Sequence, residues 1–334
     1  MSKGQRILVT GAAGMVGRKF CERLARDAAL GGAPIAELIM SDIAPPPALA
    51  NAPFEAFSRA DDLTDALTGE RLAALKPDVI VHLAATVSGD AEANFEKGYA
   101  INLDGARHLF EALRKAHQAS GGSYTPRVVA TSSIAVYGAP FPDVIDDEFF
   151  HQPLTSYGAQ KAIMELLLSD YSRKGFFDGI SIRLPTIVVR PGKPNLAASG
   201  FFSNIIREPL AGHEANLPVE ESVTHWHASP RAAVSFLIHA CTMDLSKLGP
   251  RRALTMPGVG VTVAEQIDAL KRVAGDKVAA RITRNPDPTI AKIVAGWPTR
   301  FTARRAQELG FKAEKDFDEI IRAHIEDELG GRIG

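Results

Sequence analysis

The sequence predicts an α/β protein built on a doubly wound parallel sheet, and two patterns support this prediction. Short, almost wholly apolar segments alternate with longer segments of helical periodicity through the first half of the 334-residue chain. A glycine-rich turn joins the first such pair. Strands covered by helices on both faces are apolar throughout, so this alternation is typical of a parallel sheet. Ligands bind such sheets beyond the carboxyl ends of the strands. Most of the residues that are candidates for binding or catalysis lie at these ends.

The predicted elements follow one another in regular order and indicate a nucleotide-binding domain over residues 1–185. A hydrophobic content of 46% is ample for a large core. Predicted strands occupy residues 7–10, 37–42, 79–83, 128–131 and 180–184, and predicted helices occupy residues 14–28, 62–75, 91–118 and 156–174.

The second half of the chain differs in composition, because residues 189–195 are rich in proline and glycine and predict a loop. We expect residues 186–334 to form mainly a smaller substrate-binding lobe, with residues from about 220 to 245 returning to the first domain. Its predicted elements are a strand at residues 223–228 and helices at residues 201–210, 230–241, 262–274, 302–309 and 316–328.

The glycine-rich turn has the chemistry of a dinucleotide site. Gly11 allows a tight turn, Gly14 lets the backbone approach a pyrophosphate, and Gly17 lets the following helix pack closely on the strand. That helix begins at Met15 and Val16, so its free N–H groups and partial positive charge would face the phosphates. A plain turn between strand and helix is the alternative interpretation.

Asp42, at the end of the second strand, predicts which dinucleotide binds. A carboxylate there accepts hydrogen bonds from the adenosine ribose hydroxyls and would repel a 2′-phosphate. No arginine follows, since the next residues are Ile43, Ala44 and Pro45. The pattern favours NAD over NADP, with a solvated loop aspartate as the alternative.

Tyr157 and Lys161 form a candidate proton-transfer pair at the start of a predicted helix. One helical turn separates the two side chains, so both project from the same face. A tyrosine hydroxyl alone titrates near ~10, which is too high for acid–base work at neutral pH. A nearby ammonium group favours the phenolate, and we therefore expect Lys161 to lower the pKa of Tyr157.

These motifs occur together with others in a fixed order: Gly11-x-x-Gly14-x-x-Gly17, His82-Leu-Ala-Ala85, Asn102, Ser132-Ser133 and Tyr157-x-x-x-Lys161. In this combination the chain resembles the extended short-chain dehydrogenase/reductase superfamily, of Rossmann-like fold, over nearly its whole length. A narrower resemblance, to the family of D-erythronate dehydrogenases, rests on residues 83–89, 155–161, 183–195 and 201–210.

The resemblance implies an NAD-dependent enzyme that oxidises a secondary hydroxyl of a small sugar acid. Ser133, Tyr157 and Lys161 are then the catalytic residues: Tyr157 takes the hydroxyl proton, Lys161 holds the nicotinamide ribose and Ser133 fixes the substrate oxygen. The implied cofactor-binding residues are Gly11, Gly14, Met15, Val16, Gly17, Asp42, Asp62, Leu63, Leu83, Ala84, Ala85, Asn102, Tyr157, Lys161, Pro185 and Ile187.

The carboxylate of a sugar acid needs a cation or several hydrogen-bond donors. Lys193 is one further cation on the loop after residue 184. The candidate substrate-binding residues, which combine such donors with small hydroxyl side chains near the nicotinamide end, are Thr86, Ser88, Ser133, Tyr157, Arg190, Asn195, Ser199 and Arg231.

Two other functions remain open at this point. A nucleotide-sugar epimerase or dehydratase would use the same triad and retain its NAD. Many such enzymes hold the diphosphate with an arginine where this chain has Thr224 or His225. The second alternative is a non-catalytic NAD-sensing protein, against which the intact triad argues.

Net charge, cysteine positions and targeting patterns limit which partners and which compartment we expect. A net charge of −1 favours neither nucleic acid nor a membrane surface. Cys21 and Cys241 lie in apolar helical patterns and are expected to be buried thiols. Without a targeting or membrane-spanning pattern, we expect a cytoplasmic protein, and the long helices at residues 91–118 and 156–174 favour a homodimer.

Three histidines were weighed as functional residues. His82 is expected to be packed within its strand. His225 and His227 share one face of a predicted strand, but no third ligand is evident, so no metal site is predicted.

Overall fold

The computed structural model describes residues 4–192 and 198–334. Its strands are β1 (Gln5–Thr10), β2 (Ala29–Leu30), β3 (Ala33–Asp42), β4 (Glu55–Ala60), β5 (Val79–His82), β6 (Arg127–Ser133), β7 (Asp178–Leu184), β8 (Thr186–Ile187), β9 (Ala215–Leu217), β10 (Thr224–Ala228), β11 (Ala253–Thr255), β12 (Val259–Thr262) and β13 (Ile282–Arg284). Its helices are α1 (Met15–Asp27), α2 (Ala66–Ala74), α3 (Ser88–Ala93), α4 (Phe95–Tyr99), α5 (Gly105–Ala119), α6 (Ser156–Arg173), α7 (Gly200–Leu210), α8 (Pro230–Thr242), α9 (Val263–Ala274), α10 (Asp276–Ala279), α11 (Pro288–Ala295), α12 (Arg304–Glu308) and α13 (Phe317–Leu329).

The chain divides into two compact units. Unit 1 comprises Met1–Val136, Thr155–Arg183 and Val234–Leu254, and unit 2 comprises Tyr137–Leu154, Leu184–Ala233 and Thr255–Gly334. The chain therefore leaves unit 1 three times and returns to it twice. The expected boundary at residue 185 lies close to the end of the second segment of unit 1, and the returning segment begins inside α8.

Unit 1 is built on an eight-stranded sheet in the order β11-β7-β6-β5-β1-β3-β2, with β4 paired to β3. β1 pairs in parallel with β3 on one side and with β5 on the other. The chain thus reverses its direction of travel across the sheet at β1, and a crevice opens at the carboxyl end of that strand. This confirms the predicted α/β class and its doubly wound parallel sheet.

The core of unit 1 explains why these segments fold as they do. Ile7, Leu8 and Val9 are fully buried, as expected for a central strand covered on both faces. Helices α2, α5 and α6 cover one face through a cluster that includes Leu72, Phe110 and Met164. Burial of that apolar surface holds the strand ends in place, and the strand ends carry the site.

Unit 2 has a three-stranded sheet in the order β12-β10-β8 and a two-stranded parallel sheet of β9 and β13. Its core contains Phe202, Ile206, Leu270 and Phe317, from helices α7, α9 and α13.

Unit 1 differs from the prediction in its strands β2, β4 and β11, which were not predicted, and in one helix. β4 was not among the predicted strands, because its residues are mostly exposed and lack an apolar run. The single helix predicted over residues 91–118 is interrupted: α3 and α4 are short, and a π-helical segment, Ala100–Asp104, leads into α5. The π-helical segment contains Asn102, and such segments are frequent at functional sites.

Within residues 4–192 and 198–334, no helix combines the length and the apolar character that a membrane crossing requires.

Candidate active site

The glycine-rich turn lies at the carboxyl end of β1, where the sheet opens. Gly11 has a φ of +75°, and a Cβ there would lie 2.5 Å from the Ala84 backbone nitrogen, so a side chain is excluded. At Gly17 a Cβ would lie 2.3 Å from the Gly11 carbonyl oxygen. The missing side chain at Gly17 therefore lets α1 pack closely on the turn after β1, as the glycine pattern predicted.

The N-terminus of α1 is suited to phosphate. Its N-cap residue, Gly14, is exposed and supplies no side-chain cap. The first N–H groups of a helix have no intrahelical acceptor, and those of Met15 and Val16 fall in this turn. Free donors and a positive helix end therefore face the place where a pyrophosphate would lie.

Asp42 lies at the end of β3, directly beside the glycine-rich turn. Its Oδ2 accepts a hydrogen bond from the Ala13 backbone N–H at 2.9 Å, and its Oδ1 accepts one from the Ile43 N–H at 2.7 Å. These bonds fix the carboxylate at the carboxyl edge of the sheet, while the side chain stays partly exposed. The residues of the turn and the strand end together fit NAD.

The other predicted cofactor residues of unit 1 line the same edge. Leu83 donates its N–H to the Thr10 carbonyl at 2.9 Å, and Ala84 packs against Gly11. Ala85 is exposed. Asp62 is exposed and accepts from the Thr64 N–H at 2.9 Å, whereas Leu63 is buried.

The structure brings together the three predicted catalytic side chains within unit 1. Ser133 is the last residue of β6, and α6 begins beyond Thr155, whose side chain caps the helix by accepting from the Gly158 N–H at 3.1 Å. That start places Tyr157 in the first turn, where the side chain of Ser133 is near enough to affect the pKa of its hydroxyl. Lys161 lies one turn later, with Nζ 5.8 Å from the centroid of the Tyr157 ring.

Lys161 is almost fully buried, and its Nζ donates to the Thr131 carbonyl oxygen at 3.1 Å. Burial lowers the pKa of Lys161 to about 8, and the negative charge of Glu165 opposes that shift. Burial raises the pKa of Tyr157 to about 12, which the side chain of Ser133 opposes. The pKa of Tyr157 is therefore raised in the cofactor-free protein, contrary to the expected lowering, and Ser133 rather than Lys161 opposes the rise.

Asn102 joins the loop after β5 to the catalytic helix. Its Oδ1 accepts from the Thr86 backbone N–H at 2.8 Å, and its Nδ2 donates to Gln160 Oε1 at 2.7 Å. Asn102 is 1% exposed, so both polar atoms have the partners that burial requires. The predicted cofactor role of Asn102 remains a prediction.

Among the predicted substrate residues of unit 1, the side chain of Thr86 donates to Asp90. That carboxylate also pairs with Lys97 at 2.8 Å, and hydrogen bonds from Lys97, Thr86 and Asn94 lower its pKa to about 2. Ser88 is the first residue of α3 and is half-buried.

The remaining predicted residues lie in unit 2 or outside the described residues. Arg190 Nη2 donates to Ser199 Oγ at 3.1 Å. Burial, and then the charge of Arg207, lower the pKa of Arg190. Pro185 is buried, and Ile187 is half-buried in β8. Lys193 and Asn195 lie outside the described residues.

Arg231 is already paired with carboxylates. Its guanidinium contacts Asp327 at 2.6 Å and Glu326 at 2.8 Å, both on α13. Hydrogen bonding to Asp327 raises its pKa. The structure thus gives Arg231 ion pairs within unit 2, and its predicted contact with the substrate remains a prediction.

The three histidines are packed side chains. His82 Nδ1 lies 2.8 Å from Thr10 Oγ1, and burial lowers the pKa of His82 to about 3. His225 Nε2 lies 2.6 Å from Thr186 Oγ1, and His227 Nε2 lies 3.0 Å from Gln266 Nε2. In the described part of the chain, no group of three or more acidic, histidine or cysteine side chains could hold a metal.

Two residues of the site were missed in the sequence. Glu165 lies one turn beyond Lys161, and it forms a buried ion pair with Arg183 at 2.9 Å. Helical spacing from Lys161 could have identified Glu165. Gln160 has no comparable signal, because its partner Asn102 lies far away in sequence.

With this geometry in view, the comparisons with known proteins agree on a family. Residues 7–229 match the NAD dependent epimerase/dehydratase family. A D-erythronate dehydrogenase from Cupriavidus necator is 45% identical over 326 residues, which is 96% of this chain and 98% of that protein. A second D-erythronate dehydrogenase, from Haemophilus influenzae, is 38% identical over 96% of this chain and 99% of its own length.

A crystal structure described as the nucleoside-diphosphate-sugar epimerase from Agrobacterium tumefaciens is 60% identical, with a TM-score of 0.97 over 99% of this chain and 96% of that one. The family, the glycine-rich turn and the serine–tyrosine–lysine cluster support one conclusion. The chain belongs to the NAD dependent epimerase/dehydratase family and is an enzyme that uses NAD.

Proposed function

We propose that this enzyme oxidises a secondary hydroxyl of a short sugar acid with NAD⁺, most directly the C2 hydroxyl of D-erythronate to give 2-dehydro-D-erythronate. The observation that carries the proposal is the intact cluster of Ser133, Tyr157 and Lys161 beside a turn that fits NAD. Two relatives of the same length, both named D-erythronate dehydrogenase, support the choice of substrate.

Each residue of the cluster has its own role in the proposed oxidation. The Ser133 hydroxyl holds the substrate oxygen beside Tyr157, and Tyr157 as phenolate accepts the hydroxyl proton as the C–H bond breaks. Lys161, fixed by the Thr131 carbonyl, supplies positive charge 5.8 Å from the centroid of the Tyr157 ring. When bound, NAD⁺ accepts the hydride and adds positive charge that favours the phenolate.

We further propose that Arg190 and Ser199 bind the substrate carboxylate, and that Pro185 and Ile187 contact the nicotinamide. Arg190 is largely buried and lies close enough to Arg207 for the two charges to repel. Arg207 is already paired with Glu208 at 2.6 Å, so Arg190 is the guanidinium whose paired donors could bind a substrate carboxylate. Ser199 already accepts one of those donors.

A nucleotide-sugar epimerase is the second candidate, because a structure 60% identical to this chain bears that description. Such enzymes often need an arginine for the diphosphate at the strand that is β10 here. Thr224 instead donates to the Ser222 carbonyl, and His225 is buried against Thr186. Neither supplies a cation to that position.

A panel of four- to six-carbon aldonic acids and nucleotide sugars, each with NAD⁺, separates the two functions. An oxidation accumulates NADH in proportion to substrate consumed, whereas an epimerase returns the hydride and shows no net NADH. Turnover of a nucleotide sugar without NADH from any aldonic acid would reject the dehydrogenase proposal.

Arg190→Ala tests the carboxylate site, with Arg231→Ala as the matched control. Losing a charge-assisted hydrogen bond costs ~1.5–3 kcal/mol, so KM for the acid should rise about tenfold or more. Arg231 is held by Asp327 and Glu326, so its loss should leave KM nearly unchanged. The reverse result would transfer the role to Arg231.

We also propose that the enzyme acts as a cytoplasmic homodimer. Ile163 and Leu166 expose apolar surface on α6, and both cysteines are free and buried. Light scattering that gives the mass of one chain would reject the dimer.

A further inference from the structure

Gln160 lies on the catalytic helix between the two residues of the proton-transfer pair. It follows Tyr157 by three positions and precedes Lys161 by one, and it is fully buried. A buried primary amide needs hydrogen-bond partners, and the position is one where an apolar residue would fill the same space without that demand. The presence of the amide therefore calls for a reason.

A hydrogen-bond chain runs from Thr86 through Asn102 and ends at Gln160, whose Nε2 has no partner in the described residues, and this chain has a defined direction. A backbone N–H can only donate, so the N–H of Thr86 requires Asn102 Oδ1 as its acceptor, at 2.8 Å. The Nδ2 of Asn102 then faces Gln160 and donates to Oε1 at 2.7 Å. Gln160 Nε2 is left pointing toward Gly98, where an added Cβ would lie 2.7 Å from it.

The hydrogen bonds from Thr86 through Asn102 to Gln160 fix the catalytic helix on one side of Tyr157. The hydrogen bond of Lys161 fixes it on the other side. At about 100° per residue, Gln160 lies about 60° from Tyr157 in one direction and Lys161 about 40° in the other. Gln160 binds Asn102 in the π-helical segment, and Lys161 Nζ binds the Thr131 carbonyl of β6. Rotation of α6 about its axis, which would carry the tyrosine hydroxyl away from Ser133, is opposed from both directions.

We propose that Gln160 is a positioning residue for the oxidation. Through Asn102 it holds α6 and the backbone of Thr86 in register, so that Tyr157 and Ser133 present their hydroxyls to one substrate oxygen. Gly98 contributes to this positioning, because its missing side chain makes room for the Gln160 amide. The proposal rests on the dehydrogenase function proposed above.

The variant Gln160→Met tests this role with little change in volume. It removes the acceptor for Asn102 Nδ2, and we expect kcat to fall about tenfold or more, since small misplacements of reacting groups have large effects on rate. The dissociation constant for NAD⁺, measured by fluorescence titration, should change little, because the glycine-rich turn and Asp42 are untouched.

Gln266→Met is the matched control. Gln266 is also fully buried, and its Nε2 lies 3.0 Å from His227 Nε2 in unit 2. Both variants leave a buried polar partner unpaired, so both should lower the melting temperature. Only Gln160→Met should lower kcat. Similar losses of stability with kcat within about twofold of the wild type for both would reduce Gln160 to a structural residue and overturn the proposal.

Gly98→Ala provides a second variant that keeps every hydrogen-bonding group. Its methyl group would lie 2.7 Å from Gln160 Nε2 and should displace the amide, lowering kcat as Gln160→Met does. In a Gln160→Ala background the shortest contact is removed and only the 3.1 Å contacts with Ala91 remain, so Gly98→Ala should add much less further loss. An equal loss in both backgrounds would show that Gly98 acts independently of Gln160 and would contradict the proposal.

The wild-type assay tests the proposed substrate separately from the proposed role of Gln160. If D-erythronate gives no NADH with the wild type, the proposed substrate is wrong. The Gln160 series is then measured with whichever compound of the panel the enzyme turns over. If D-erythronate is oxidised and Gln160→Met retains full kcat, only the positioning role fails.

Discussion

Each unit contains a pair of titratable side chains whose pKa values are shifted by removal from water, and we assign one pair to chemistry and the other to stability. In unit 1, burial lowers the pKa of Lys161 to about 8 and raises that of Tyr157 to about 12. In unit 2, burial lowers the pKa of His225 to about 4, and burial together with the His225 charge lowers the pKa of His227 well below its ordinary value. Desolvation is the dominant cause in all four cases.

The difference lies in what surrounds each pair. Tyr157 stays partly exposed and contacts a second hydroxyl, Ser133, so a proton has a route to and from it. His225 and His227 are packed against aromatic rings: the His225 ring stacks on Phe202 at 5.2 Å, and that of His227 meets Phe202 edge-on at 4.8 Å. A shifted pKa therefore marks a functional group only where access and a proton partner accompany it.

The comparison of the two pairs predicts that substitution of Tyr157 has the largest effect, which is on kcat. Tyr157→Phe removes the proton acceptor and little volume, so kcat should fall about 100-fold or more while NAD⁺ binding is retained. Tyr171→Phe is the matched control on the same helix, since its hydroxyl contacts Glu111 at 3.1 Å, away from Ser133. Steady-state kinetics and NAD⁺ titration decide it. Near-normal turnover by Tyr157→Phe would remove the basis for the proposed chemistry.

The histidine pair should instead govern stability in acid. Both folded-state pKa values lie below the ordinary 6.5, so the unfolded chain binds more protons as the pH falls. Stability is fully present above about pH 6.5 and declines toward pH 4, by up to about 1.4 kcal/mol per pH unit for each histidine. Both tryptophans, Trp226 and Trp297, lie in unit 2, so their fluorescence in denaturant titrations reports this loss.

A pair of variants makes the acid prediction specific. His225→Gln keeps a partner for Thr186 and removes one titrating group, so the dependence of the denaturation midpoint on pH should weaken by about half. His213→Gln, at an exposed position, should leave the dependence unchanged. A midpoint that is identical at pH 7 and pH 5 in the wild type would refute the role assigned to the pair.

The smallest effect is expected at Asp42, a partly exposed carboxylate that extends the comparison beyond buried groups. The wild type should prefer NAD⁺ to NADP⁺, because a carboxylate repels a nearby phosphate. Asp42→Ala should narrow that preference by about tenfold in kcat/KM, mainly through loss of the charged hydrogen bond to the ribose. Equal use of both cofactors by the wild type would contradict the role of Asp42 at the ribose.

The sequence predicted what local pattern controls. The apolar strands, the glycine-rich turn and the Tyr157–Lys161 spacing all depend on neighbours within a few residues, and the doubly wound sheet that follows from them is confirmed. β4 was missed because an exposed strand lacks an apolar run. The Asn102–Gln160 bond could not be predicted, since it joins residues 58 positions apart. The direction of the Tyr157 pKa also depends on burial, which local spacing does not reveal.

The order of segments along the chain has a consequence for synthesis on the ribosome. β11 lies beside β7 at the edge of the unit 1 sheet, but it is translated only after much of unit 2. Arg127 likewise donates hydrogen bonds to the carbonyl oxygens of Cys241 and Met243, each at 2.8 Å, and both acceptors are translated long after Arg127. A nascent chain that ends near residue 185 therefore carries β7 with an open edge, which is a template for association with other chains. Unit 1 becomes a finished folding unit only when residues 234–254 have left the exit tunnel.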